Sequence, residues 1–152
     1  MIELLYEPSR QIRHHTHPKH LFGISALPAE KRHAFCLKET VARRETWGLC
    51  RGRHWALIPD MKNGSTAFAL WPTWEYAEDW LGQHTELWHR DFAPRSITLR
   101  ELLDELLPLL EEEDLSIGSF YLPENQGITI KPTAFKQEIM CLMINWFGDA
   151  NY

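Results

Sequence analysis

The chain has 152 residues, 44% hydrophobic and 24% charged, with a net charge of -5. This is ordinary globular usage for one domain that buries about 68–70% of the surface its unfolded form exposes. No apolar run approaches the roughly 20 residues of a bilayer span, no basic-then-apolar leader opens the chain, and three scattered cysteines (Cys36, Cys50, Cys141) suit neither a disulfide framework nor a thiolate zinc site.

In chain order, residues 1–23 read as an arm or short edge strand, because Pro8, Pro18 and the histidine run interrupt any periodicity; residues 24–152 form the domain. A helix is expected from Leu27-Pro28 to about Arg44, with Ala34, Leu37 and Val41 on one stripe. Three strands follow at Thr46–Arg51, His54–Pro59 and Ser65–Leu70, joined by turns at Arg51-Gly52 and Asp60–Gly64, as an antiparallel meander. Thr73 is expected to cap a short helix reaching Leu81 and stopped by Gly82, with Trp74, Ala77 and Leu81 inward.

Thr98-Leu99-Arg100-Glu101 is a capping box opening a helix whose apolar stripe is Leu99, Leu102, Leu103, Leu106 and Leu110. Pro108 inside that run should kink it or cut it short, since proline offers no N–H and crowds the preceding turn. Strands at about Leu115–Leu122 and Ile128–Lys131 come next, linked by a Pro123–Gly127 turn, then a helix capped by Thr133 and carrying Phe135, Ile139, Leu142, Met143 and Trp146. Hairpins and helices without regular strand–helix–strand spacing predict an α+β domain with an antiparallel or mixed sheet.

Charge is unevenly placed. Residues 1–54 hold ten Lys/Arg against five Asp/Glu, and residues 55–152 hold six against sixteen. An acidic majority speaks against nucleic acid and suits a basic protein partner.

Chemistry-bearing patterns are few. His14, His15, His17 and His20 crowd one segment, but structural metal sites draw ligands from rigid, separated elements, so a surface segment is the expected reading. Cys36 with His33, and Cys50 with His54, have the residue types of nucleophile–base pairs; both thiols are expected to be packing groups. The acids Glu111–Asp114 lack a glycine-centred calcium loop, and no phosphate loop, G-x-S-x-G elbow or H-E-x-x-H motif is present. No catalytic residue, metal or cofactor is therefore expected.

Trp47, Trp55 and Trp71 read as core. Trp74, Trp80 and Trp88 fall among Glu75, Glu78, Asp79 and Glu86, where a short helix cannot readily bury both Trp74 and Trp80; aromatics beside charge suit interface anchors.

From about Ser25 to Lys131 the chain resembles the bacterial family catalogued as domain of unknown function twenty-seven fifty. The likeness lies in Leu-Pro-Ala-Glu-Lys-Arg at 27–32, Trp47-Gly48-Leu49, Trp55-Ala56-Leu57, Leu70-Trp71-Pro72 with Ala77, Ile97-x-Leu99, Leu107-Pro108 and Ser119-Phe120. The resemblance implies a compact bacterial α+β domain, similar in its run of elements to immunity proteins of polymorphic toxin systems. It brings no functional residues, and the histidine arm and final helix lie outside it.

These readings converge on a cytoplasmic immunity-type protein that binds and occludes a basic toxin domain, with Trp74, Asp79, Trp88, Asp104 and Glu105 as its docking residues. A regulatory binding module with a non-toxin partner is the alternative, and an enzyme using Cys50 and His54 or a metal protein using the histidine arm is a further rival. Oligomeric state is left open.

Overall fold

A computed structural model describes residues 3–5, 23–84, 91–124 and 126–147. Strand β1 (Glu3–Leu5) is followed by helix α1 (Ala29–Arg43) and the meander β2 (Glu45–Arg51), β3 (His54–Pro59) and β4 (Thr66–Leu70). Helix α2 (Trp74–Gly82) and strand β5 (Ala93–Thr98) lead to helix α3 (Leu99–Glu101), which runs through a π-helical turn at Leu102–Leu106 into α4 (Leu107–Glu112). Strands β6 (Ser116–Ser119) and β7 (Ile128–Ile130) precede helix α5 (Pro132–Phe147).

The strands form one mixed sheet in the order β5-β2-β3-β4-β6-β7, with β1 paired to β3. Every pairing is antiparallel except β4 with β6. This is the α+β architecture expected. The start of the arm is thus a strand on the sheet, while the histidine run lies outside the described residues.

β3 changes partners along its length. His54 and Trp55 pair with Arg51 and Cys50 of β2, whereas Leu57–Pro59 pair with Phe68–Thr66 of β4. Reciprocal amide–carbonyl bonds of 2.9 and 2.8 Å between Trp47 and Trp71 then tie the end of β4 back to β2.

Successive strand side chains point to opposite faces, and here both faces are covered. On one side Cys50, Trp55, Leu57, Phe68, Leu70, Ile97 and Ile117 pack against the leucines of Leu99–Glu112 and against Phe135, Ile139 and Met143 of α5. On the other, Leu49, Ala56, Ile58, Ala67, Ala69 and Trp71 meet Tyr76, Ala77 and Trp80 of α2. α1 contributes to both cores, with Leu37 and Val41 in the first and Cys36 in the second.

The capping box forms as expected: the Glu101 amide donates to Thr98 Oγ1 at 3.1 Å and the Thr98 amide donates to Glu101 Oε1 at 3.2 Å. Pro108 does not end this helix. The chain widens to i→i−5 bonding, with the Leu107 amide donating to the Leu102 carbonyl, and that extra room one residue before Pro108 lets the helix continue to Glu112.

Other expectations are corrected. Thr73 makes no side-chain cap, and α2 runs through Gly82 to end at Gln83. Its buried residues are Tyr76, Ala77 and Trp80, because Trp80 is drawn down onto Trp71, with ring centroids 5.7 Å apart. α5 begins at Pro132, whose missing N–H is harmless in a first turn, so Thr133 is not its cap. Trp146, in the last turn of α5, is 45% exposed.

Two predictions follow from this packing. A Cβ built on Gly48 lies 2.8 Å from Cζ3 of the fully buried Trp55 and 3.3 Å from Phe68, so Gly48→Ala should destabilise the fold by roughly 1–3 kcal/mol in a denaturant titration. Asp60 is buried, which alone would push its carboxyl up. Hydrogen bonds from the Thr129 hydroxyl and the Lys62 and Asn63 amides, with the Lys62 charge, outweigh burial and hold it below the usual carboxylate range. A depressed folded pKa gives stability that is present above the unfolded value and lost as pH falls through the folded one. Asp60→Asn should therefore flatten the acid limb of the stability curve while leaving its slope near neutrality unchanged.

Candidate functional site

At the end of the parallel strand β6, several buried polar groups, Arg32, His33 and Ser119, come together. Ser119 is the last residue of β6 and 1% exposed. Its hydroxyl lies 2.6 Å from His33 Nδ1 on α1, and His33 Nε2 lies 2.7 Å from Glu138 Oε2 on α5. An ionised carboxylate only accepts hydrogen bonds, so His33 Nε2 carries a proton and donates it to Glu138, while Nδ1 and the Ser119 hydroxyl share the second bond. Cys36, one helical turn after His33, is fully buried and hydrogen-bonds to Ser119 and Thr40.

Serine, histidine and glutamate in a line are the residue types of a nucleophilic triad. Three observations oppose that chemistry in this conformation. The ring is reversed relative to a serine-hydrolase triad, with Nδ1 rather than Nε2 toward the hydroxyl. A carbonyl attacked by Oγ must lie about 3–3.5 Å away, and Ser119 is enclosed by protein. The next amide, Phe120 N–H, donates to the Leu70 carbonyl at 2.9 Å and so is not turned toward an oxyanion. Burial pushes the Cys36 thiol up to about 12, despite the hydrogen bonds from Ser119 and Thr40 that favour the thiolate. It is a fully buried thiol packed within the fold.

The arrangement instead staples α1, β6 and α5 together around a strained residue. Phe120 has φ 52°, a left-handed conformation that costs a bulky side chain about 1–3 kcal/mol. It is held by the Leu70 bond, by Arg32 Nε donating to its carbonyl at 3.5 Å, and by Tyr76 and Phe35, whose ring centroids lie 4.6 and 6.2 Å away. Arg32 is itself buried, with Nη1 donating to the Leu27 carbonyl at 2.8 Å. Gly127, at φ 82°, closes the same junction: a Cβ there would meet Arg32 Nη2 at 3.0 Å and the Ser119 carbonyl at 3.2 Å.

The docking residues expected from sequence fall elsewhere, and not together. Trp74 is half-buried and Asp79 exposed on α2, against one face of the sheet. Asp104 and Glu105 are exposed on the π-helical turn, against the opposite face. Trp88 lies outside the described residues. Trp80, grouped with them as a surface aromatic, is 4% exposed and stacks on His84 at 3.9 Å. Cys50 is buried and hydrogen-bonds to Arg95, which makes it a strand packing group. No group of three or more metal-ligating side chains occurs among the described residues.

No local motif marks the Ser119–His33–Glu138 line in the sequence, because its members are separated by 86 and 105 positions.

If the line is a staple, His33→Ala and Ser119→Ala should each cost about 1–3 kcal/mol, the penalty of a buried group left unsatisfied. The double variant should cost less than their sum, with a coupling of about 0.5–3 kcal/mol. A serine-directed phosphonate probe should leave the native chain unlabelled; stoichiometric labelling at Ser119 would contradict this account.

No curated protein and no solved structure matches the chain. The family model described as "Protein of unknown function (DUF2750)" matches residues 33–139, a stretch that begins at His33, takes in Ser119 and Glu138, and covers most of both cores. The chain belongs to the DUF2750 family.

Proposed function

We propose that this chain is an immunity-type protein of the bacterial cytoplasm, which binds a basic toxin domain and occludes it. The observation that supports this best is the outer face of the helix from Leu99 to Glu112. Its leucines face the sheet, which leaves Asp104, Glu105, Pro108, Glu111 and Glu112 on the solvent stripe at helical spacing, and Glu113 and Asp114 continue it.

Cations near this face are sparse and loosely placed. Arg100 Nε lies 3.8 Å from Asp104 Oδ2 and Lys131 Nζ lies 4.0 Å from Asp114 Oδ1, both surface pairs worth little. The stripe therefore presents a field that would attract a basic partner and speed encounter, while the rigid packing beneath lets carboxylates dock without reordering the backbone. Trp74 and Asp79 lie across the sheet, so one standard interface of about 800 Å² per partner centred on Asp104 and Glu105 does not require them.

The closed geometry around Ser119 supports binding over catalysis. No described helix is long and apolar enough to cross a membrane.

The expected results are specific. The product of the adjacent reading frame should be toxic alone, tolerated with this chain, and recovered in complex with it. Asp104→Lys with Glu105→Lys should weaken that complex about tenfold or more and reduce its salt dependence, with unchanged thermal unfolding. A harmless neighbour, or one that does not co-purify, rules out the immunity reading; equal loss of binding and folding rules out this surface.

A further inference from the structure

The C-terminal half of α5 has no charge from Ile139 to Phe147, Ile-Met-Cys-Leu-Met-Ile-Asn-Trp-Phe. A helix without a polar face is normally covered on all sides. Ile139 and Met143 face the core, but Cys141 is exposed and Ile144 is 52% exposed. Beside this ridge, α1 and α5 leave an open groove of about 510 Å³. Among larger lining side chains such as Gln137 and Leu142, its walls carry the small Ala34 on α1 with Ala134 and Cys141 on α5, and one opposite charge each: Lys38 on α1, and on α5 Glu138, whose carboxylate is bound on its inner side by His33 and is 41% exposed. Small side chains let another helix approach closely, since interaxial distance is set by the residues at the contact.

We infer that this face is a homodimer interface whose occupant is the α1–α5 face of a second copy. An isologous contact needs one patch that carries both halves of each complementarity. This patch does: an apolar ridge at Ile144 lies next to an open groove, and a cation on one wall stands across from an anion on the other. A two-fold axis along the groove sets α1 of each copy against α5 of the other. Lys38 then faces the second copy's Glu138, and Ile144 is covered. A foreign helix would need only to complement the patch, and nothing would require the patch to complement itself. The acidic stripe of Leu99–Glu112 is a separate surface, so the inference stands whether or not the toxin reading does.

Sedimentation equilibrium of the full chain, from low micromolar to several hundred micromolar, tests it. A reversible monomer–dimer equilibrium is expected. Ile144→Asp, which exposes nothing new, should weaken it by about tenfold or more, the effect of truncating a central anchor. Ala34→Trp, at an exposed helix position, should abolish it by filling the groove, and Lys38→Glu should weaken it by setting like charges together. Circular dichroism and thermal unfolding keep loss of fold distinct from loss of association. A chain that stays monomeric throughout the range overturns the inference and leaves the groove to an unlike partner. A dimer that survives both Ile144→Asp and Ala34→Trp in folded protein also overturns it, because association then uses another face.

Discussion

The sheet has to be covered on both faces at once. Its central strands carry apolar side chains on each side, Leu57 and Phe68 toward one core and Ile58 and Ala67 toward the other, and neither set can be left in water without losing most of the burial free energy. Helices must therefore be supplied to two layers from one short chain. α2 closes one face, and the long leucine helix with α5 closes the other. The parallel pairing of β4 with β6 follows from the same need, because the chain between them passes through α2, β5 and the leucine helix before it returns to the sheet.

The difficult place in such a fold is where the layers meet. Backbone leaving β6 must turn sharply, and it does so through a left-handed Phe120 between Ser119 and Tyr121. A strained residue persists only where its surroundings over-determine it. Here Arg32 bonds two carbonyls, a histidine bridges a serine and a glutamate, and two aromatic rings pack on that of Phe120. The residue types are those of a hydrolase, and their geometry here ties three elements together around the turn. Residue identity alone does not define an active site; access, ring orientation and a free oxyanion donor decide it.

The exterior carries two distinct surfaces, on which the proposed contacts rest. Carboxylates line the outer stripe of Leu99–Glu112 and its end turn, and an apolar ridge and groove lie along α1 and α5. The acidic stripe suits fast, salt-sensitive capture of a basic surface, whereas the ridge and groove suit a close apolar contact. Both rest on helices rather than loops, so either partner would meet a surface already in its bound shape.

Local signals were legible in the sequence wherever a few neighbouring residues determine the outcome. The capping box at Thr98 and Glu101 placed a helix start to the residue, turn chemistry and alternation placed β2, β3 and β4, and the strand tryptophans Trp47, Trp55 and Trp71 read as core because a large ring in an alternating pattern has nowhere else to go. Other features belonged to tertiary structure. Pro108 is tolerated because a π-helical turn precedes it, and Trp80 is buried because Trp71 lies beneath it. The line from Ser119 through His33 to Glu138 joins three elements across more than a hundred positions, and the separation of Asp79 from Asp104 depends on which sheet face each helix covers. Periodicity records that a face is buried. Which face of the sheet it meets, and what stands opposite, is decided only when the whole chain has closed around both cores.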